Sequence, residues 1–226
     1  MANKFLLVLV LTAFVATGAF AQVTFGGGLL FCNDFGGGVK VSERIPGVGT
    51  LEAAIEMPSF GFGAFIFLDV TYAEISLGYI NSSTDMNLTA SLGSSSASES
   101  LAELSVGSLN FAVFGKYPFK ISDAITAFPL LGIDYNVVFS AMDGNTVMTD
   151  AGDLSALWFK FGGGMDYSIT NLMYLRFSAL YGIRLPNKLE DTQKDMLKYL
   201  IDEPGVSVDT RLGHGLTIRL AIGSKF

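Results

Sequence analysis

Apolar side chains recur at every second position along the C-terminal stretch of this sequence. From Leu212 to Phe226 the even-numbered residues are almost all apolar, whereas the odd-numbered residues between them are small or cationic. A period of two residues is typical of a β-strand whose two faces meet different surroundings. The second face is too small and too sparsely charged for the solvated surface of a soluble protein. The pattern therefore predicts a strand with one apolar face and one cramped polar face.

The same alternation recurs along the chain and predicts eight strands. Their approximate bounds are 23–33, 59–69, 73–83, 103–117, 125–140, 154–167, 173–185 and 208–226. The long connections lie near 34–58, 84–102, 141–153 and 186–207. The short connections lie near 70–72, 118–124 and 168–172. An even number of strands, joined alternately by long loops and tight turns, is typical of bacterial outer-membrane barrels.

A barrel whose apolar face points outward requires lipid around it. Hydrophobic residues make up 50% of the sequence and charged residues only 15%, against about 25% charged in soluble domains. A soluble lipocalin-like barrel would carry long charged side chains outside, where the alternation shows Gly, Ser and isolated Arg. In lipid every backbone polar group needs an internal partner, so the sheet must close on itself. We therefore predict an all-β fold, an eight-stranded antiparallel up-and-down transmembrane β-barrel with short periplasmic turns and long extracellular loops.

The N-terminal segment has the features of a secretory signal peptide. Lys4 precedes an apolar run over 5–15, and a small-residue motif, Ala-Phe-Ala, ends at Ala21. The run is short for a membrane-spanning helix. We therefore expect cleavage between Ala21 and Gln22.

The expected mature chain, 22–226, is a single barrel domain that follows a signal peptide at 1–21. The formal charge of the sequence is −7 and no basic run occurs, which argues against a nucleic-acid partner. Cys32 is the only cysteine, so no intrachain disulfide can form. We interpret Cys32 as a small, unreactive residue within a strand.

The signal peptide, the eight alternating strands and the final "LTIRLAIGSKF" resemble the small outer-membrane β-barrel proteins of double-membraned bacteria, of the OmpX, OmpW and OmpA-barrel kind. The resemblance covers the whole expected mature chain and rests on pattern, so it does not select one subfamily. It implies a monomer in outer-membrane lipid. It also implies that the barrel-assembly machinery recognises the last strand. By resemblance the residues of that signal are Leu216, Ile218, Leu220, Ile222 and Phe226.

Alternation along the strands also places nine charged residues on the inner face of the barrel. The acids are Glu74, Asp134 and Asp166, and the bases are Lys116, Lys160, Arg176, Arg184, Arg211 and Arg219. Buried charges require partners, so we interpret the set as a structural network of ion pairs that fills the interior. Arg219 is expected to pair with an interior carboxylate such as Asp134 or Asp166. The alternative is a cationic filter for small anions, and the mixture of acids and bases favours the network.

The sequence offers no constellation for catalysis, a metal or a cofactor. A barrel hydrolase needs a nucleophile with a histidine base, and the only histidine, His214, falls on the lipid side near the loop end. One His and one Cys do not supply a metal cluster. We therefore predict a protein that is not an enzyme and that holds no cofactor or metal.

The last long connection predicts a short helix. Asn187 and Glu190 have the spacing of a capping box, and Pro204-Gly205 would end the helix. Its apolar face would consist of Leu189, Met196, Leu197 and Leu200.

Two functions are compatible with these features. The first is a structural and surface-interaction protein whose long loops meet host or environmental ligands. The second is a passive, porin-like conduit for small or hydrophobic solutes.

Overall fold

The computed structural model describes residues 23–35, 37–45, 47, 49–92, 94–144, 146–148, 151–200 and 206–225. The predicted signal peptide, the cleavage site at Ala21 and Gln22, the Pro204-Gly205 helix end and Phe226 lie outside these ranges. The strands are β1 (Val23–Phe35), β2 (Gly38–Ile45), β3 (Gly49–Glu56), β4 (Ser59–Val70), β5 (Ala73–Leu92), β6 (Ser95–Lys116), β7 (Phe119–Lys120), β8 (Ile125–Asp143), β9 (Thr146–Val147), β10 (Ala156–Ser168), β11 (Met173–Arg184), β12 (Val206–Arg211) and β13 (Gly213–Lys225). A short 3-10 turn covers Ala151–Leu154, and one α-helix, α1, covers Lys188–Leu200.

Eight of these strands form a closed antiparallel ring. Their order around the ring is β1, β4, β5, β6, β8, β10, β11 and β13, and β13 pairs back with β1. Each ring strand corresponds to one of the eight strands that alternation predicts. The predicted fold class, an eight-stranded antiparallel up-and-down barrel, is confirmed.

Side chains alternate between the inside and the outside of the ring as the sequence predicts. On β13 the side chains of Leu216 and Leu220 are exposed on the outer surface, whereas Thr217 and Arg219 are buried. The sequence left the facing of "FGFGAFIFL" open because glycine and phenylalanine are mixed there. In the structure Phe60 points outward and Phe67 points inward.

Two predicted loops are β-structure that continues above the ring. The segment predicted as a loop at 34–58 contains the hairpin β2–β3, and the segment 84–102 is the upper half of β5 and β6. The upper part of β6, from Ser95 to Leu101, is exposed on both faces and rich in Ser, so burial leaves no alternation there in the sequence. The backbone of β3 pairs with the upper part of β5, and this pairing continues strands whose direction the barrel has already fixed.

The predicted last strand, 208–226, is two strands in the structure. β12 pairs with β2 in the upper sheet, whereas β13 pairs with β1 and β11 in the ring. The two strands are separated at Leu212. The predicted long C-terminal strand is therefore wrong in its first part, because the chain changes neighbours at that residue.

Helix α1 begins with the predicted capping box. The backbone N–H of Glu190 donates to Asn187 Oδ1 at 2.9 Å, and the backbone N–H of Asn187 donates to Glu190 Oε2 at 2.9 Å. The two side chains thus satisfy two backbone donors reciprocally. Met196 belongs to the predicted apolar face of the helix, but its side chain is exposed. None of the helices in the described ranges is long and apolar enough to cross a membrane.

The ring has tight turns at one end and the upper sheet at the other. We expect the upper sheet to face the outside of the cell and the tight turns to face the periplasm. In a Cys32→Ser background, Ser95→Cys at the tip of the β5–β6 hairpin should react with a membrane-impermeant maleimide on intact cells. Ser122→Cys, in a turn at the other end, should react only after the cells are opened. Labelling at Ser122 alone on intact cells would reverse the orientation.

Candidate functional site

The outer surface of the ring is apolar and carries aromatic side chains near both ends. Exposed aromatic residues near the tight turns are Tyr72, Tyr117, Phe119 and Tyr167. Those near the upper end are Phe35, Phe60, Phe62 and Phe139. An apolar band flanked by two aromatic belts, on an even-stranded antiparallel ring, is the surface of an outer-membrane-type barrel. The surface therefore confirms the predicted transmembrane barrel and its outer-membrane localisation.

Arg176 on β11 lies at the centre of a buried charge cluster near the tight-turn end. Its Nη1 donates to Glu74 Oε2 at 2.7 Å, and its Nη2 donates to Asp69 Oδ2 at 2.6 Å. Its Nε donates to Asp166 Oδ1 at 2.7 Å. These contacts join β4, β5, β10 and β11 across the inside of the barrel. One guanidinium thus binds three carboxylates at once.

Two further cations complete this cluster. Lys116 Nζ donates to Asp69 Oδ2, and Arg219 Nη2 donates to Glu74 Oε1. With Arg176 and its partners, the cluster contains three cations and three carboxylates. The charges balance within the layer, as charges removed from water require. We refer to these six residues as the lower cluster.

Aromatic rings fill the space around the lower cluster. The Arg176 guanidinium carbon lies 4.6 Å from the centroid of the Phe67 ring and 4.9 Å from that of Phe128. Arg219 lies 4.6 Å from the Phe65 ring centroid. Cations over aromatic faces are favourable, more so when water is excluded. The exposed fraction is 0% for Glu74 and 2% for Arg176, so water-sized molecules barely reach this layer.

A second group of polar side chains lies above the lower cluster. Lys160 Nζ donates to Asp134 Oδ2 at 2.6 Å and to Thr217 Oγ1 at 3.0 Å. Asn110 Nδ2 donates to Asn136 Oδ1 at 2.8 Å and also to Asp134. The group is electrically neutral and satisfies the buried lysine with a carboxylate.

The third group ties α1 to the mouth of the barrel. Arg184 Nη2 donates to Glu190 Oε1 at 2.8 Å, and Arg184 Nε lies 3.0 Å from Asp34 Oδ2. Glu190 is fully buried and also forms the capping box of α1. A single arginine therefore connects β11, β1 and the first turn of α1.

Eight of the nine charged residues placed inside by alternation lie in these three groups. They are Glu74, Lys116, Asp134, Lys160, Asp166, Arg176, Arg184 and Arg219. Arg219 pairs with an interior carboxylate, but that carboxylate is Glu74 and neither of the two examples, Asp134 and Asp166.

Arg211 lies elsewhere than predicted. It is an exposed residue of β12 in the upper sheet, where its Nη1 lies 2.5 Å from Glu56 Oε1. The alternation that marks the inside of the ring was carried through Leu212 to Arg211, but the chain leaves the ring there.

Sequence reasoning missed three acids of these groups, Asp69, Asp34 and Glu190. Asp69 could have been found, because the tight turn pairs Val70 with Ala73 and sets Asp69 directly opposite Glu74. Asp34 lies in β1, where the mixture of Gly and Phe does not indicate which face points inward. The sequence indicates only a capping role for Glu190, and no local pattern indicates that its helix folds back on the barrel.

The outer face of β13 carries the residues predicted as an assembly signal. Leu216, Leu220 and Ile222 are exposed there, and Ile218 is partly exposed. β13 also closes the ring by pairing with β1. Recognition of this face by the assembly machinery stays a prediction.

His214 and Cys32 take part in none of the three groups. His214 Nδ1 lies 2.8 Å from the Tyr181 hydroxyl, and Cys32 is a half-buried thiol inside the ring. Within the described ranges, no group of three or more His, Cys, Asp or Glu residues is placed to hold a metal ion.

No protein-family model and no curated protein sequence matches the chain. Among solved structures it is similar to the outer-membrane protein OprG from Pseudomonas aeruginosa, at 11% identity and a TM-score of 0.42, over 91% of this chain and 96% of that one. Neisserial surface protein A is similar at 11% identity and a TM-score of 0.41, over 89% of this chain and 99% of that one. The Escherichia coli outer-membrane protease OmpT is similar at 6% identity and a TM-score of 0.31, over 91% of this chain and 97% of that one. At these scores the likenesses carry no activity over to this chain.

Proposed function

We propose that this protein is a non-conducting outer-membrane barrel that acts at the cell surface through the sheet above its ring. The observation that carries the proposal is the lower cluster with its surrounding rings. Phe114 and Tyr174, like Glu74, have an exposed fraction of 0%. An eight-stranded barrel is narrow enough for side chains to fill it, and here charged and aromatic side chains occupy that layer together.

The upper sheet supports the surface role. It continues β5 and β6 beyond the ring and adds β3, β2 and β12 beside β5. Helix α1 packs against β12 at one side of this sheet. At the other side, residues 95–103 of β6 pair with β5, and no strand within the described ranges pairs with their second edge. An exposed strand edge is a template for pairing with another chain.

The alternative, a passive conduit along the barrel axis, requires a path through the lower cluster. Opening one would separate Arg176 from three carboxylates in a region that water barely reaches. Breaking a single buried pair costs about 3–5 kcal/mol, so thermal opening would be rare. The conduit is therefore the weaker candidate.

Planar-bilayer recordings test the closed barrel directly. The refolded protein should insert without producing steady conductance, while a general porin in the same membranes produces regular channel steps. Reproducible unitary channels from folded, heat-modifiable protein would contradict the closed interior and support the conduit.

Removal of the exposed hairpin tests the surface role. A variant in which 87–100 is replaced by a tight turn should fold, since the ring residues are retained. Bacteria that display this variant should adhere less to cultured host cells and to serum-coated plastic than bacteria that display the full chain. Equal adhesion by both strains, at equal surface expression, would show that the hairpin does not mediate adhesion and would contradict the proposed function.

A further inference from the structure

The barrel is hollow above the lower cluster. A cavity of about 70 Å³ lies inside the ring, and its lining includes Cys32, Ser76, Asn110 and Arg219. A second cavity of about 90 Å³ lies nearer the mouth and is lined in part by Met57, Leu154 and Arg184. Both are also lined by Asp34, Ser59, Ser82, Ser108, Asn136 and Trp158. The two spaces are therefore adjoining parts of one chamber. Together they have room for several water molecules.

Every cation that lines the chamber already has a carboxylate partner. Lys160 is paired with Asp134, Arg219 with Glu74, and Arg184 with Asp34 and Glu190. An anion that entered would bring an uncompensated charge into a narrow interior, which is costly. The chamber therefore suits a solute that carries no negative charge.

Three buried polar atoms of residues in the chamber wall lack hydrogen-bond partners. One of them, Arg184 Nε, still lies 3.0 Å from Asp34 Oδ2 in an ion pair. The other two are Arg219 Nε, a donor near the floor, and Asp34 Oδ1, an acceptor near the mouth. The exposed fractions of Arg219 and Asp34 are 4% and 9%. Unsatisfied buried polar groups are rare and call for water or a ligand. A hydroxyl group can form a hydrogen bond with either atom, because it both donates and accepts.

One wall of the chamber is the indole of Trp158. A methyl group at Gly215 would come within 2.9 Å of this ring, so the glycine leaves the space in which the indole lies. Apolar faces beside hydroxyl and amide groups suit the C–H and O–H surfaces of a polyol.

From these features we propose that the chamber is a binding site for a small, uncharged, polyhydroxylated solute, about the size of a three- to five-carbon polyol. The lower cluster closes the site toward the periplasm, so solute enters and leaves at the upper end. This site is separate from the exposed hairpin, and its existence does not depend on the proposed surface role.

The only cysteine and the only tryptophan of the chain both line the chamber and serve as native reporters. In detergent micelles, Cys32 of the folded barrel should react with neutral methyl methanethiosulfonate and much more slowly with the sulfonated or trimethylammonium reagents. Erythritol at three times its dissociation constant should slow the neutral reaction about fourfold. It should also change the fluorescence of Trp158 with the same concentration dependence.

The matched variants separate binding from general solvent effects. Asp123→Cys in a Cys32→Ser background places the thiol in an exposed turn, where erythritol should have no effect on labelling. Ser108→Leu fills the chamber, and Ser108→Ala keeps the space but removes one hydroxyl. Ser108→Leu should abolish the effect of erythritol on Trp158, and Ser108→Ala should weaken it. If Ser108→Leu does not fold, the Ser108→Ala result decides.

Three outcomes would overturn the proposal. The first is equal slowing by erythritol at Cys32 and at Asp123→Cys. The second is a folded barrel in which Cys32 does not react with the neutral reagent. The third is an erythritol response of Trp158 that is the same in the wild type and in the Ser108 variants. Conductance and adhesion measurements are independent of each of these results.

Discussion

Arg176→Met is expected to lower the free energy of unfolding by at least ~3–5 kcal/mol. The substitution keeps the length of the side chain but leaves Asp69, Glu74 and Asp166 without their shared guanidinium. The remaining cations of the lower cluster, Lys116 and Arg219, cannot balance its three carboxylates. Urea titration of the barrel in lipid vesicles, followed by the heat-dependent gel shift, measures the loss.

Arg211→Met is the matched control for that experiment. Arg211 also has a carboxylate partner, Glu56, but both side chains are substantially exposed, at 42% and 34%. Exposed ion pairs contribute about 0–1 kcal/mol, so this variant should be nearly as stable as the wild type. Adding Asp69→Asn should restore part of the stability that Arg176→Met loses. Equal, small effects of both arginine substitutions would show that the lower cluster is not buried in the folded protein.

The second large effect concerns the neighbouring positions 219 and 220. Leu220→Arg should cost ~2–4 kcal/mol if the residue lies near the bilayer midplane, because it places a cation in the hydrocarbon. Arg219→Leu keeps the lipid contacts but leaves Glu74 with one cation fewer, at a cost of about 3–5 kcal/mol. Folding into vesicles of defined thickness reports both variants.

Removal of the acid distinguishes the two causes. Glu74→Gln should rescue Arg219→Leu, since glutamine carries no charge and its oxygen can still accept from Arg176. The same change should not rescue Leu220→Arg, whose defect lies on the lipid side. Rescue of both variants, or of neither, would contradict the assignment of the two faces.

The ring of the barrel could be predicted from the sequence because burial there follows the simplest period. Each ring strand separates lipid from a packed interior, so every second side chain is constrained. The same alternation places most residues of the lower cluster inside the barrel, for example Glu74, Asp166 and Arg176. Alternation predicts which face of the strand a side chain lies on and its approximate height in the barrel. It does not predict which residue on another strand the side chain contacts, so it does not identify Glu74 as the partner of Arg219.

The parts of the structure that the sequence does not predict depend on contacts that produce no alternation. At Leu212 the chain passes from the upper sheet to the ring without a break in pattern, so Arg211 was placed inside. The upper half of β6 is exposed on both faces, and that of β5 alternates only between exposed and half-buried residues, so both have the polar composition of solvated loops. The link from Arg184 to Glu190 joins a strand to a helix, and the position of that helix is a tertiary property.

Oxygen accessibility along β13 tests the closed barrel in lipid most directly. Spin labels are introduced singly at 216–222 in a Cys32→Ser background, and collision rates with oxygen and with a water-soluble nickel complex are measured in vesicles. Labels at 216, 218, 220 and 222 should collide with oxygen and not with the nickel complex, and labels at 217, 219 and 221 should be shielded from both or perturb folding. Uniform accessibility along the strand, or a nickel response at the even positions, would contradict a barrel whose wall separates lipid from an enclosed interior.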